Sequence, residues 1–187
     1  MRIIAGALRG RRLAAVGKGD AAAHLRPTQD RVRESLFNQL MGGRYGNPIS
    51  DMRVLDLFAG TGALGLEALS RGAAHVTFVE NGTKAVALIR ENIDLCQVGD
   101  KTKLQRRDAT RLGANPDAPY DLIFLDPPYA KSMGERALQS AIDGNWIAPD
   151  AMIIWEESAE ITPPAGLELL DARRHGDTVI SILTNQA

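Results

Sequence analysis

Apolar positions at a spacing of four, Val32, Leu36 and Leu40, predict a helix that opens at Pro27–Thr28 with Thr28 as its N-cap and ends at Gly42–Gly43. Upstream, Arg2-Ile3-Ile4-Ala5-Gly6 and Arg11-Arg12-Leu13-Ala14 read as two short strands around a turn at Gly6–Gly10, a basic hairpin, and residues 15–26 are Gly/Ala-rich without periodicity. From Val54 onward the pattern changes. Short apolar runs alternate with helical periodicities: strand Val54–Phe58, helix Ala63–Arg71, strand Val76–Glu80, helix Thr83–Leu95, then strands Lys103–Arg107 and Leu122–Leu125. A helix around Glu135–Ile142 and a strand Ala151–Glu156 follow. Such alternation predicts a parallel sheet covered by helices on both faces with right-handed crossovers. Leu167–Ala172 and Thr178–Leu183, joined through His175-Gly176-Asp177, predict an antiparallel hairpin at one edge.

With 187 residues, 44% hydrophobic and 24% charged, the chain has the composition of a single globular domain rather than of a disordered or fibrous protein. No apolar run approaches the roughly 18 residues of a membrane span, and Met1–Gly6 lacks a signal-type apolar core, so a soluble cytoplasmic protein is expected. Cys96 stands alone and His24, His75 and His175 are scattered, which argues against an intramolecular disulfide and a zinc site; no metal is expected. Charge is uneven: residues 1–35 carry eight Lys/Arg against three Asp/Glu, leaving fourteen against twenty elsewhere. A basic arm on an acidic body suits a polyanionic partner, although charged runs are more often only solvated faces.

The chemistry gathers at strand ends. Asp56-Leu57-Phe58-Ala59-Gly60-Thr61-Gly62-Ala63-Leu64-Gly65 follows a strand and opens a helix, so its glycines permit a tight turn and close approach of a ligand. The Gly-x-Gly-x-x-Gly match fits a dinucleotide as well as a nucleoside. Glu80 ends the next strand, where a carboxylate can accept hydrogen bonds from both ribose hydroxyls. Asp56 would repel a pyrophosphate yet attract the amino group of an amino-acid moiety, which favours S-adenosylmethionine over NAD. Asp108, followed by Ala109, is placed for an adenine amino group or equally for a helix N-cap. Asp126-Pro127-Pro128-Tyr129 ends the strand Leu122–Leu125, and its prolines fix the backbone and leave carbonyls as acceptors beside an aromatic ring. An exocyclic base amino group donating to Asp126 and a carbonyl, with Tyr129 stacked on the base, would have its lone pair aimed at a sulfonium methyl, with rate coming from positioning.

The Asp-Pro-Pro-Tyr and Asp-Leu-Phe-Ala-Gly-Thr-Gly motifs resemble those of S-adenosylmethionine-dependent amino-methyltransferases. Arg2–Gly6, Arg9-Gly10-Arg11-Arg12-Leu13 and Arg26-Pro27-Thr28-Gln29-Asp30-Arg31-Val32-Arg33-Glu34-Ser35-Leu36-Phe37-Asn38 narrow the resemblance to the RsmD-type guanine-N2 methyltransferases of bacterial small-subunit ribosomal RNA, over nearly the whole chain. The chain departs from that family at Ala15-Val16-Gly17, where a proline-bearing turn is common. The resemblance implies a Rossmann-like α/β methyltransferase sheet, mostly parallel with an antiparallel C-terminal hairpin. A basic hairpin and helix over residues 1–45 would form an RNA-binding extension of a catalytic domain over 46–187. It implies cofactor contacts from Asp56, Phe58, Gly60, Thr61, Gly62, Glu80, Asp108 and Ala109, a catalytic loop of Asp126, Pro127, Pro128 and Tyr129, and RNA contacts from Arg2, Arg9, Arg11, Arg12, Arg26, Arg31 and Arg33. The expected partner is small-subunit ribosomal RNA within an assembling 30S particle, met by a monomer with no membrane and no metal. The alternatives are a DNA adenine-N6 or cytosine-N4 methyltransferase, which shares the amino-group chemistry, and more distantly an NAD-dependent oxidoreductase or a pure RNA-binding module. Against the oxidoreductase stands the short stretch after Tyr129, too small for a separate substrate domain.

Overall fold

Val54, Leu55 and Leu57 have no exposed surface, and neither do Leu122 to Phe124, so the central strands are apolar on both sides and must be covered on both. The computed structural model describes residues 1–14, 30–128 and 132–186. Its elements are α1 (Asp30–Met41), β1 (Arg53–Leu57), α2 (Ala63–Ser70), β2 (His75–Glu80), α3 (Thr83–Cys96), β3 (Thr102–Arg106), β4 (Tyr120–Leu125), α4 (Met133–Asp143), β5 (Ile147–Glu157), β6 (Leu167–His175) and β7 (Thr178–Asn185). They form one seven-stranded sheet in the order β3-β2-β1-β4-β5-β7-β6. The first five strands run parallel, while β7 pairs antiparallel with both β5 and β6. The expected mostly parallel sheet with an antiparallel C-terminal hairpin is what the chain forms.

One face of the sheet packs Val54, Phe78 and Phe124 against α1, α2 and α3; the other packs Leu55, Ile123 and Trp155 against Ala137, Leu138 and Ala141 of α4. The amino-terminal hairpin joins the first face. Ile3 donates its N–H to the Arg11 carbonyl at 2.9 Å and Gly10 donates to Ile3 at 2.9 Å, around a single antiparallel bridge, Arg2 with Arg12. Ile3 and Leu13 are buried in the same cluster as Phe37, Leu40 and Val54. Gly6, at φ 81°, lies so close to the Ser70 carbonyl that a Cβ would sit 1.8 Å from its oxygen, so the hairpin turn seats directly on the end of α2.

Three expectations change. The buried stripe of α1 is Arg33, Leu36, Phe37 and Leu40, rotated from Val32, Leu36 and Leu40, because Arg33 has a buried anionic partner and Phe37 packs against Phe124 at 5.7 Å between ring centroids. Strand β5 starts at Ile147 rather than Ala151, through a register shift against β4 that accommodates Pro149 and the left-handed Asp150. Strand β6 continues through Arg173 and Arg174, whose side chains are exposed at the sheet edge. The Thr28 cap and the departure at residues 15–17 lie outside the described residues.

Candidate active site

The register of the sheet aligns the acidic strand ends. Val79 pairs with Leu57, Leu57 with Leu125, and Leu125 with Trp155, so Glu80, Phe58, Asp126 and Glu156 stand side by side at one carboxyl edge. With strands about 4.8 Å apart, Glu80 and Asp126 are roughly 10 Å from each other across β1. That edge of a doubly wound sheet is where ligands bind.

Between β1 and α2 the backbone is left-handed at Phe58 (φ 57°), Gly60 (φ 58°) and Gly62 (φ 76°). Glycine adopts this freely, whereas Phe58 stores strain of about 1–3 kcal/mol, a pattern concentrated at functional loops. The glycine loop is held from two sides. Glu80 accepts hydrogen bonds from the N–H groups of Gly60 (2.9 Å), Asn81 (2.9 Å) and Gly82 (2.8 Å), tying the loop to the start of α3. Thr61, 8% exposed, offers its carbonyl to Asn92 Nδ2 at 2.9 Å. Glu80→Ala is expected to lower stability by about 1–3 kcal/mol, since three backbone donors lose an ionised acceptor. Urea denaturation checks it, and a midpoint equal to wild type would show that these bonds hold nothing.

Asp56 lies beneath the loop, 2% exposed, accepting the Gly65 N–H at 3.0 Å. Burial pushes its carboxyl up to about 8, against the pull of the Gly65 bond and with added repulsion from Glu80. Because the folded value exceeds the unfolded one, folding takes up a proton: the stability contribution is complete below the ordinary carboxylate range and is lost as pH rises towards about 8. Asp56→Asn is therefore expected to flatten part of the decline in stability between pH 5 and 9. Denaturation series across that range test it, and parallel curves for the two proteins would refute it.

Asp126 is pushed well above its ordinary range by burial and by Glu156, Asp56 and Glu157, in that order. Its N–H reaches towards the Leu57 carbonyl at 3.5 Å, Pro127 is buried and Pro128 exposed, and Tyr129 lies outside the described residues. Asp108 caps the short 3₁₀ turn Ala109–Arg111, its Oδ1 accepting both the N–H and the hydroxyl of Thr110 at 2.8 Å. Burial raises its carboxyl, but these bonds, with Arg111 and Arg136 nearby, hold it below the usual range. Ala109 is buried beside it. The edge as a whole offers acidic acceptors beside a glycine-rich loop, an arrangement suited to a ligand rich in hydroxyl and amino donors.

Of the amino-terminal arginines, Arg2, Arg9, Arg12 and Arg31 are exposed. Arg11 is also exposed, but its guanidinium donates to the Leu95 carbonyl. Arg33 corrects the expectation of an RNA contact: it has no exposed surface, donates to Asp30 at 3.0 Å and to the Arg2 carbonyl, and lies 3.8 Å from Glu67. Arg26 lies outside the described residues. Sequence reasoning missed Glu156 and Glu157, although they end a strand just as Asp126 does. It also missed Asn92, a polar residue on the apolar stripe Ala85, Val86, Ile89, Ile93 and Cys96.

A family model described as Conserved hypothetical protein 95 matches residues 1–184. The chain is 37% identical over 160 residues to the Ribosomal RNA small subunit methyltransferase D of Escherichia coli K12, covering 86% of this chain and 76% of that one. The Haemophilus influenzae protein of the same name is 37% identical over 169 residues, covering 87% and 83%. Among solved structures, Escherichia coli yhhF superposes with a TM-score of 0.83 at 34% identity, covering 100% of this chain and 98% of that one.

Proposed function

Since the chain belongs to the Conserved hypothetical protein 95 family, the RsmD-type methyltransferases, we propose that it transfers a methyl group from S-adenosylmethionine to the exocyclic N2 amino group of a guanine in small-subunit ribosomal RNA. The observation that carries this reading is the gathering of Glu80 and Asp126 on either side of Phe58 at one sheet edge, with Asp56 two residues deeper in the strand between them, around a glycine loop with three left-handed residues.

The residues fit the cofactor. Asp56 is a buried carboxyl whose charge is suppressed by its surroundings, and an incoming ammonium is the partner that would restore it. When bound, S-adenosylmethionine supplies an electrophilic methyl group on a sulfonium. Asp56 holds the amino group of the methionine moiety, and Glu80, while bracing the loop, receives the ribose hydroxyls on its remaining lone pairs. Asp108 and Ala109 border the adenine, and Phe58, Gly60, Thr61 and Gly62 form the loop the cofactor rests against.

Asp126 and the Pro127 carbonyl accept the two N–H bonds of the guanine N2, with Tyr129 stacked on the ring and Pro128 stiffening the turn. Both acceptors pull electron density towards nitrogen and fix its lone pair on the cofactor side. As the new N–C bond forms and the methyl's bond to sulfur breaks, the nitrogen sheds a proton. Asp126, made more basic by burial and by Glu156 and Glu157, is placed to receive it and pass it to water. Residues 1–45 form the RNA-engaging extension, through Arg2, Arg9, Arg12 and Arg31, and residues 46–187 carry the chemistry. A particle in assembly, which presents shaped RNA, is the substrate that a short arm can read.

The test is transfer of labelled methyl from S-adenosylmethionine to deproteinised RNA, assembling small subunits and DNA, followed by nucleoside analysis. N2-methylguanosine in the particle is the expected product. N6-methyladenine or N4-methylcytosine would overturn the substrate and keep the reaction type.

A further inference from the structure

Asn92 is fully buried on the apolar stripe of α3, where an amide is costly unless it is satisfied. It is satisfied by two distant segments. Its Oδ1 accepts the Ala14 N–H at 2.7 Å, and its Nδ2 donates to the Thr61 carbonyl at 2.9 Å and towards the Ala14 carbonyl at 3.4 Å. One planar group thus joins the end of the amino-terminal hairpin to the middle of the glycine loop. The other end of the hairpin meets the same loop residue, since the Thr61 hydroxyl donates to Met1 Sδ at 3.9 Å and Leu13 donates its N–H to the Met1 carbonyl at 3.2 Å.

Thr61 lies between Gly60 and Gly62, both left-handed. Neither glycine has a Cβ to restrict its torsions, so the direction of the Thr61 carbonyl is set by what binds it. Among the described residues, the other polar anchors of the hairpin hold it to helices and not to the loop: Glu67 and Ser70 to α2, Arg33 to α1, and the Leu95 carbonyl, which accepts from Arg11, to α3.

We propose that Asn92 is a positioning residue that couples the hairpin to the glycine loop, so that seating of the cofactor against the loop and seating of RNA on the hairpin strengthen each other. This rests on reading the loop as the cofactor site and the hairpin as the RNA arm. The coupling is reciprocal by linkage: whatever orders Thr61 orders Ala14 through the shared amide, and the reverse holds equally.

The test uses the full chain, with S-adenosylhomocysteine as the probe and hydrogen exchange of individual amides followed by NMR, beside calorimetric affinity. The probe is expected to slow exchange of the hairpin amides by about tenfold in the wild type. Asn92→Asp keeps an acceptor for the Ala14 N–H but sets a carboxylate oxygen against the Thr61 carbonyl, and should cut that slowing to about twofold or less. Ser70→Ala, which releases the Leu8 N–H and leaves Asn92 intact, should retain it. Equal slowing in Asn92→Asp and wild type would overturn the coupling. If Asn92→Asp does not fold, the wild type decides: slowing must be greater at Ala14 than at Leu8, and equal slowing overturns the coupling. Probe binding without slowing at residues 1–14 overturns the coupling alone, whereas no binding overturns the proposed function with it.

Discussion

Asp126→Ala is expected to reduce turnover by about 10²-fold or more, the effect of removing one positioned polar group at the reacting centre, while affinity for the cofactor stays near wild type. Stability should not fall with it. Asp126 is a carboxyl crowded by Glu156, Asp56 and Glu157, so its removal relieves repulsion rather than breaking a pair. Asp126→Asn separates two roles, since the amide oxygen can still accept an N–H from the base but cannot take up a proton. A larger recovery in KM than in kcat for the Asn variant would mark the proton-accepting role. Single-turnover methyl transfer reads the outcome, and turnover within a few-fold of wild type in the Ala variant would remove Asp126 from the chemistry.

Glu80 and Asp126 were legible because each ends an apolar run, and in a parallel sheet all such runs end on the same side. Those two needed only strand assignment, whereas Asp56 inside β1 was read from the glycine loop it precedes and Asp108 from its place after β3. What the pattern did not carry were groups whose role depends on a partner far along the chain. Arg33 looks like a surface arginine on a basic helix until Glu67, 34 positions later on another helix, supplies the buried charge that turns it inward. Asn92 looks like an ordinary interruption of an apolar stripe until Ala14 and Thr61 are seen on either side of it. Glu80 was expected as a ribose acceptor, but its part as the brace of its own loop was not legible, because its donors are backbone N–H groups that any residue would provide. Strand β6 was cut short at Ala172 because Arg173 and Arg174 break the apolar alternation, yet an edge strand tolerates charge on its open side and is protected by it.

The largest effect on stability is expected at Glu67. Its carboxylate has no exposed surface and serves four groups: the N–H of Ile4 at 2.8 Å, the N–H of Ala5 at 3.0 Å, Arg71 Nε at 2.8 Å and, at 3.8 Å, Arg33 Nε. The hairpin, α1 and α2 therefore meet on one buried charge. Arg33 is already short of partners, its Nε and Nη1 having no hydrogen bond, so the charge of Glu67, together with that of Asp30, is what makes a buried guanidinium tolerable there. Glu67→Ala leaves that guanidinium with Asp30 as its one remaining anion among the described residues, removes the partner of Arg71 and frees two backbone donors, which should cost about 3–5 kcal/mol, a large share of the roughly 5–15 kcal/mol that holds a domain together. Glu67→Gln preserves shape and one acceptor oxygen but no charge, and should fall between that variant and wild type. Detachment should begin at the hairpin, because Ile4 and Ala5 lose their acceptor first. Trypsin cleavage after Arg9, Arg11 or Arg12 should therefore accelerate at urea concentrations where the sheet is still folded. A Glu67→Ala protein within about 1 kcal/mol of wild type, the range of an ordinary substitution, would mean that apolar contacts of Ile3 and Leu13 alone hold the arm.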